Sequence, residues 1–192
     1  MFPYIIINVA MSINGKISSA NGRYNISTEE DIHRTMNLRN RVDAVLIGAN
    51  TVMVDNPILR NAKNRIILDA KFKLNENFHV FDGSVKTYIF SLKNKKINNT
   101  QTVVLEDISL ENILNKIRDL GIETILVEGG ANVINQFIHK NIFNEFYIFI
   151  NPKIVLSGKS LFENIEIKDM EYSILKSDNG ILLSINRIPN MR

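Results

Sequence analysis

One junction decides the fold, and it reads Ile122-Glu123-Thr124-Ile125-Leu126-Val127-Glu128-Gly129-Gly130-Ala131-Asn132-Val133-Ile134. The apolar run at 125–127 is typical of a short strand that is buried on both of its faces. After the two glycines, apolar residues recur at helical spacing through residue 140. We therefore predict a buried strand that turns sharply into a helix.

This junction also predicts a ligand site. A strand that breaks into Gly129-Gly130 before a helix leaves backbone N–H groups exposed, and these groups and the helix dipole favour a phosphate. The alternative is a tight turn that needs a positive φ, since two adjacent glycines do not match the spaced glycines of the dinucleotide fingerprint. Glu128 favours a ligand site, because a carboxylate that ends an apolar strand is costly to bury unless something pairs with it. In open α/β sheets, ligands bind at this end of the strands.

The composition is that of an ordinary globular domain. The chain has 192 residues, 45% of them hydrophobic and 22% charged, which fits a single domain over residues 1–192. The absence of cysteine excludes disulfides and thiolate chemistry, and the three scattered histidines lack metal-ligand spacing, so we expect no metal. No stretch approaches the ~18 apolar residues of a membrane span. We find no signal peptide and expect a cytoplasmic protein.

The charge pattern narrows the class of partner. The net charge is +3, and lysines and arginines are interspersed with acids. A nucleic-acid-binding surface would require clustered lysine and arginine residues. The pattern instead suits attraction of a small anionic molecule.

Outside the junction, strand and helix patterns alternate along the first 150 residues. The first strand, residues 4–11, leads into the turn Asn14-Gly15 and then Lys16, which we interpret as either a site residue or a solvated turn lysine. Further strands are predicted at 43–48, 65–69, 87–91, 102–105 and 146–150, and a helix capped by Ser109 at 110–120. This order predicts an α/β fold of three layers, α/β/α, with a central, mostly parallel mixed sheet. A C-terminal antiparallel hairpin is predicted around Asp178-Asn179-Gly180.

A helix near residue 30 should carry one arm of the site. Ser27-Thr28-Glu29-Glu30 reads as a capping box, which predicts a helix start. Ile32, Met36 and Arg39 recur at helical spacing, and we predict that they form its buried stripe. A buried arginine needs a counter-charge, which Glu128, another acid or a ligand phosphate or carboxylate would supply. The alternative is an arginine that snorkels to solvent.

A second arm of the site is predicted after Gly48. Thr51 and Asp55 are four residues apart and would share one face of a short helical turn. Pro57 keeps Asn56 out of the helical region. Polar groups thus follow a second buried strand, as they do at Glu128.

The strand at 146–150 predicts a homodimer. Phe146-Tyr147-Ile148-Phe149-Ile150 has no polar face for solvent. Since the predicted helices are needed mainly over earlier strands, we expect a partner subunit to cover it.

Several motifs in this order resemble those of the pyrimidine reductases of riboflavin biosynthesis, over about residues 4–160. Met11-Ser12-Ile13-Asn14-Gly15-Lys16 is similar to their opening S-L-D-G-K motif, and Thr51-Val52-Met53-Val54-Asp55-Asn56-Pro57 to G-T-V-x-x-D-D-P. Asn25-Ile26-Ser27-Thr28, Leu38-Arg39, Glu128-Gly129-Gly130 and Pro152-Lys153-Ile154 with Gly158 complete the resemblance. A chain of this length resembles the standalone archaeal or fungal type, because the Cys/His signature of a zinc deaminase domain is absent.

The resemblance implies a dihydrofolate-reductase-like fold, NADPH as cofactor with NADH as the alternative, and a homodimer. It also implies hydride transfer to C1′ of the ribosylamino group of 2,5-diamino-6-ribosylamino-4(3H)-pyrimidinone 5′-phosphate, a small phosphorylated pyrimidine. The implied catalytic residues are Lys16 and Glu128, with a water as the alternative proton source. The implied substrate-binding residues are Arg39, Leu59 and Arg60. The implied cofactor-binding residues are Thr51, Asp55, Gly129, Gly130, Ala131 and Asn132.

The chain departs from the family pattern at four places. Asn14 and Asn56 stand where the family has Asp, and either residue makes the same turn. The cation after Leu59 is shifted, so that the phosphate ligand stays open. Ala70 replaces a serine near the cofactor, which leaves NADPH against NADH open. Another reductase of a pterin or carbonyl, or a non-catalytic nucleotide-binding module, remains the alternative function.

Overall fold

The computed structural model describes residues 2–19, 25–162, 170–177 and 179–186. Its nine strands are β1 Tyr4–Ser12, β2 Ala44–Gly48, β3 Asn64–Leu68, β4 Lys86–Ser91, β5 Thr100–Val104, β6 Thr124–Gly129, β7 Glu145–Asn151, β8 Glu171–Ser177 and β9 Gly180–Asn186. Its α-helices are α1 Glu29–Arg41, α2 Ala49–Asp55, α3 Leu110–Asp119 and α4 Ala131–His139. Within these ranges, none of the helices combines the length and the apolar character that crossing a membrane requires.

All nine strands belong to one sheet, in the order β5-β4-β3-β2-β6-β1-β7-β9-β8. The first seven strands of this order run parallel, and the pairs β7–β9 and β9–β8 are antiparallel. The predicted mostly parallel mixed sheet and its C-terminal hairpin are therefore confirmed. Of the predicted turn, Asp178 lies outside the described residues.

Helices and loops cover both faces of the sheet, as the three-layer prediction requires. Leu114 of α3 and Phe137 of α4 pack with Ile125 of β6 in one apolar core. Leu38 of α1 and Val52 of α2 pack in a second core on the opposite face. The buried residues of β6 alternate between the two cores, because successive side chains of a strand point to opposite faces.

The α1 helix corrects two details of the sequence interpretation. Its N-cap is Thr28, whose side chain accepts a hydrogen bond from the Asp31 amide, one residue later than the predicted capping box. The predicted buried stripe is wrong, since Leu38 and Asp31 are buried and the Met36 side chain is 42% exposed. Ile32, Met36 and Arg39 do share a face, but that face borders a cleft.

The β7 strand is covered within the chain, contrary to the reasoning from sequence. It lies between β1 and β9, and Phe146 and Ile148 are buried in the core that contains α4. On the other face, Tyr147 packs against the second core, and the Arg34 guanidinium lies 5.6 Å from the centre of its ring. A partner subunit is therefore not needed to cover β7.

Candidate active site

A cleft of about 1210 Å³ opens at the carboxyl ends of β1, β6, β2 and β3. These four strands are neighbours in the sheet, so that the polar residues that end them share one edge. Nine of the eleven predicted site residues line the cleft: Arg39, Thr51, Asp55, Leu59, Glu128, Gly129, Gly130, Ala131 and Asn132. Lys16 and Arg60 are not among the residues that line it.

Arg39 and Glu128 form a bidentate ion pair in the cleft. Arg39 Nε donates to Glu128 Oε1 at 2.6 Å, and Arg39 Nη2 donates to Oε2 at 2.7 Å. Arg39 Nη1 also donates to Asn61 Oδ1 at 3.2 Å. The two charged side chains are 19% and 12% exposed, so that the pair is largely withdrawn from solvent but still borders the cleft. Of the counter-charges that the sequence left open for Arg39, the structure selects Glu128.

The glycine turn at the end of β6 leads into α4 without a side-chain cap. Gly129 has a φ of +134°, and Gly130 caps α4 without any side-chain hydrogen bond. A Cβ atom at position 130 would lie 3.1 Å from Thr51 Oγ1, so that a side chain there would crowd the space between the turn and α2. The first turn of α4, which no side chain caps, borders the cleft. Such a turn suits an anionic group, as the phosphates of a nicotinamide dinucleotide would require.

The α2 helix presents both of its predicted residues to the cleft. Thr51 and Asp55 line it one turn apart, as the spacing predicted. The helix ends at Asn56, which adopts the left-handed conformation with a φ of +40°. Asn56 Oδ1 accepts a hydrogen bond from the His79 amide, so asparagine serves here as both cap and tether.

Lys16 lies beside the cleft. Its Nζ donates to Ser160 Oγ at 2.7 Å, and its backbone bridges to Ser160. Asn14 explains this placement, because its amide donates to the Val155 carbonyl and its Oδ1 accepts from the Val155 amide. Gly158 closes the same contact, since a Cβ atom there would lie 1.8 Å from the Ser18 carbonyl oxygen.

Leu59 lines the cleft because a buried arginine holds its loop. The Arg65 side chain is fully buried, and it donates to the carbonyls of Ile58 at 2.7 Å and Leu59 at 3.3 Å. It also pairs with Asp82 at 3.0 Å. The Ser84 hydroxyl, with help from Arg65, holds the pKa of Asp82 well below its usual range.

Arg60, by contrast, points away from the cleft. Its side chain is 70% exposed and lies 3.4 Å from the Asp82 carboxylate. This position agrees with the shifted cation that left the phosphate ligand open at the sequence level.

Two groups of polar residues in the cleft were missed by the sequence interpretation. The first contains Asp31, Asn8 and Thr35, which sit where α1 crosses β1. Arg34 joins Asp31 to Asn8, and burial together with the Glu145 hydrogen bond raises the pKa of the neighbouring Tyr147 to about 12. Asp31 lies in the first turn of α1, where an acid is expected because it interacts favourably with the helix dipole. The sequence therefore gives no sign that Asp31 also lines a cleft.

The second group lies at the end of β3. Lys71 and Lys73 line the cleft there and are exposed. Neither lysine forms an ion pair or hydrogen bond with any other residue that the structure describes. The turn that carries them is fixed by Asp69, whose carboxylate accepts a hydrogen bond from the Leu74 amide at 2.9 Å.

Comparison with known families identifies the family of the chain. Residues 3–183 match the model of the RibD C-terminal domain. The chain belongs to this family. The solved structures that resemble this chain are RibD reductase domains with a dihydrofolate-reductase-like fold, which is the fold predicted from the sequence.

Two relatives of this RibD C-terminal domain protein carry the name of a reductase. The 2,5-diamino-6-ribosylamino-4(3H)-pyrimidinone 5′-phosphate reductase of Methanothermobacter thermautotrophicus is 29% identical over 173 residues, which cover 81% of this chain and 80% of that protein. The Saccharomyces cerevisiae reductase of the same name is 29% identical, with 88% and 82% covered. The riboflavin biosynthesis protein RibD of Aquifex aeolicus is also 29% identical, but the chain spans only 52% of its length.

Solved structures give the same picture of the fold. A Thermotoga maritima deaminase/reductase superposes with a TM-score of 0.86 at 25% identity, covering 97% of this chain and 57% of that one. The riboflavin biosynthesis reductase of Saccharomyces cerevisiae superposes with a TM-score of 0.85 at 22% identity, covering 96% and 90%.

Proposed function

We propose that the chain, as a single reductase domain, uses NADPH to reduce 2,5-diamino-6-ribosylamino-4(3H)-pyrimidinone 5′-phosphate. The product would be its ribitylamino counterpart. One observation carries the proposal: the Arg39–Glu128 ion pair borders the same cleft as the uncapped glycine turn of α4. The cleft thus offers one arginine-lined wall for a phosphorylated substrate and one helix N-terminus for a dinucleotide. The names of the archaeal and yeast relatives support this substrate.

The roles of the residues follow from their places in the cleft. Gly129, Gly130, Ala131 and Asn132 would bind the cofactor diphosphate, with Thr51 and Asp55 on the facing helix. A nicotinamide bound there would supply a hydride to C1′ of the substrate, taken as its ring-opened imine. Arg39 and Leu59 would bind and orient the substrate for this transfer.

The contacts of Glu128 support a positioning role for this carboxylate. Both of its oxygens accept hydrogen bonds from Arg39, so that it holds the guanidinium in one orientation. The imine nitrogen would then take its proton from a water, which the sequence left as the alternative. Lys16 and Arg60 would act indirectly, Lys16 by fixing the segment at Ser160 and Arg60 through Asp82.

Lys71 and Lys73 support NADPH over NADH as the cofactor. They follow β3, the strand two places from β6 in the sheet, on the side of the cleft away from β1. The diphosphate turn lies at β6, so that the adenosine half of the cofactor would extend across β2 towards these lysines. A 2′-phosphate would give them the anion that the described residues do not supply. They would take over the role of the serine that Ala70 replaces.

The lysines can be tested by cofactor binding. For the double variant Lys71→Ala/Lys73→Ala, we expect the Kd of NADPH to rise about tenfold or more and that of NADH to change little, since a charge-assisted phosphate contact is lost. Titration calorimetry measures both constants. Lys96→Ala, which removes an exposed lysine that does not line the cleft, should leave both constants unchanged. Equal weakening of NADPH and NADH would contradict this assignment.

The proposed function is tested by cofactor oxidation in the presence of candidate substrates. Nicotinamide absorbance should fall with the ribosylaminopyrimidine phosphate and stay constant with dihydrofolate. Turnover of dihydrofolate would favour another reductase on this fold. Tight NADPH binding without turnover of either compound would favour a non-catalytic nucleotide-binding module.

We also propose that the protein is a homodimer, assembled through the edge strand β8. Tyr172 and Ile174 of β8 are 62% and 66% exposed, and Leu175 on its other face is 42% exposed. An apolar strand at a sheet edge invites pairing with another copy, and twofold symmetry closes that pairing.

Light scattering tests the dimer at micromolar concentration. We expect a mass of twice 21.9 kDa, reduced to the monomer by Ile174→Lys because a charge would enter the apolar contact. Ile108→Lys, at an exposed isoleucine outside the hairpin, should leave the mass unchanged. A wild-type monomer would refute the proposed assembly.

A further inference from the structure

Asp31 is a buried carboxylate that borders the cleft. Asp31 is only 3% exposed, yet it lines the cleft. Arg34 donates to Oδ1 twice, through Nη2 at 2.6 Å and Nε at 3.1 Å. The other oxygen, Oδ2, has no hydrogen-bond partner among the described residues. Oδ2 is not one of the enclosed side-chain atoms that lack a partner, so that it is open to the cleft and can accept a hydrogen bond from a ligand.

The neighbours of Asp31 are joined to it by hydrogen bonds. Asn8 of β1 accepts from Arg34 Nη2 at 2.6 Å and donates to Thr35 Oγ1 at 3.1 Å. Arg34 in turn lies over the Tyr147 ring. These contacts occupy Oδ1 and leave Oδ2 available on the cleft that Asp31 lines.

The relatives of this chain act on two kinds of pyrimidine, which differ at ring position 2. The archaeal and yeast proteins are named for a 2,5-diaminopyrimidinone, whereas the Thermotoga maritima protein is named for an aminouracil. The first ring carries an amino group at position 2, which donates hydrogen bonds. The second ring carries an oxo group there, which only accepts them. A carboxylate binds the first and repels the second.

We propose that Asp31 Oδ2 accepts a hydrogen bond from the 2-amino group of the substrate, and thereby selects the diaminopyrimidinone over the uracil. This inference rests on the proposed function and adds the residue that decides between its two substrate classes. Asp31 acts in recognition only, and no proton transfer or covalent step is assigned to it.

The spacing along α1 suits this orientation of the substrate. Asp31, Thr35 and Arg39 line the same side of the cleft, and eight residues of helix separate the acid from the arginine by about 12 Å. The substrate has its amino-bearing ring at one end and its phosphate at the other. An acceptor and a cation at opposite ends of the helix match these two ends in charge.

The test compares both substrates in the wild-type enzyme and in Asp31→Asn. We expect wild-type kcat/KM to favour the diaminopyrimidinone phosphate over the aminouracil phosphate by about tenfold or more, the range for a hydrogen bond to a charged group. In Asp31→Asn the ratio should fall by about tenfold or more, because the amide can donate to the 2-oxo group while its oxygen still accepts from Arg34. Glu29→Gln, which removes an exposed acid from the same turn, should keep the wild-type ratio.

Binding of the two ribitylamino products gives a second readout that needs no turnover. Calorimetry should show the same preference for the 2-amino product in the wild-type protein, and its loss in Asp31→Asn. Equal loss of both substrates with an unchanged ratio would mean that Asp31 only supports the fold, and would overturn the inference. A wild-type protein that binds both products equally would also overturn it. Failure of both substrates to turn over would instead count against the proposed function, while the product affinities would still decide the role of Asp31.

Discussion

Arg39→Ala should lower kcat/KM for the ribosylaminopyrimidine phosphate by about 2–4 kcal/mol, roughly 30- to 1000-fold, while the Kd of NADPH changes little. Two effects add. The substrate loses its cation, and Glu128 is left as an unpaired carboxylate that is only 12% exposed and repels a phosphate. Steady-state kinetics and calorimetric NADPH titration measure the two quantities.

Two further variants sharpen this prediction. Arg41→Ala removes the same charge from an exposed position of the same helix, and should leave kcat/KM close to the wild-type value. If Glu128 serves to orient Arg39, the double variant Arg39→Ala/Glu128→Ala should be no worse than Arg39→Ala alone. If NADPH affinity collapses in Arg39→Ala while KM for the substrate stays constant, Arg39 belongs to the cofactor and the assignment is wrong.

Arg65→Met should reduce the free energy of unfolding by about 3–5 kcal/mol, the range for removing one member of a buried ion pair. The Arg65 side chain is fully buried and makes five hydrogen bonds, to the carbonyls of Ile58, Leu59 and Val80 and to the side chains of Asp82 and Ser84. Its loss leaves three carbonyls without this donor. Denaturant unfolding followed by circular dichroism gives the change.

Arg60→Met is the matched control, because Arg60 contacts the same Asp82 from solvent. Its side chain is 70% exposed, so that we expect a loss of less than about 1 kcal/mol. Equal effects of the two variants would contradict the role given to Arg65. If Arg65→Met does not fold, Arg65→Lys is the second variant. It preserves the charge but not the planar set of donors of the guanidinium, so that its free energy of unfolding should lie between those of the wild type and Arg65→Met.

The pH dependence of unfolding tests the same contact. The pKa of Asp82 is lowered in the folded protein, chiefly by the Ser84 hydroxyl and also by Arg65. A lowered pKa stabilises the fold above the unfolded value of about 4, and this stabilisation is lost as the pH falls below it. Asp82→Asn should therefore flatten the acid side of the stability curve.

The elements of the fold could be predicted from sequence because their signals are local. The junction at Gly129-Gly130, the cap at Ser109 and the spacing of Thr51 and Asp55 each depend on residues that are close in the chain. The order of strands depends on contacts between distant segments, for which one sequence gives no signal. The same holds for Arg65, which reads as one residue of a strand although its five acceptors come from two loops.

The candidate site shows the same division. Glu128 was one of several counter-charges that the sequence left open for Arg39, because a charge at helical spacing and a carboxylate at a strand end both require a partner, and the structure pairs the two. The face of Arg39 was wrongly assigned to the core, since apolar residues that line a cleft have the same period as those of a core. Asp31 was missed because acids are common in the first turn of any helix.

The central claim is that this cleft brings a nicotinamide to C1′ of the ribosylamino group. It is tested most directly by incubating the protein with 2,5-diamino-6-ribosylamino-4(3H)-pyrimidinone 5′-phosphate and labelled NADPH. In this NADPH, deuterium replaces both hydrogens on C4 of the nicotinamide ring. Mass spectrometry and NMR of the product should show a ribitylamino chain with one deuterium, bonded to C1′. Recovery of unreduced substrate, or deuterium at any other carbon, would contradict the account.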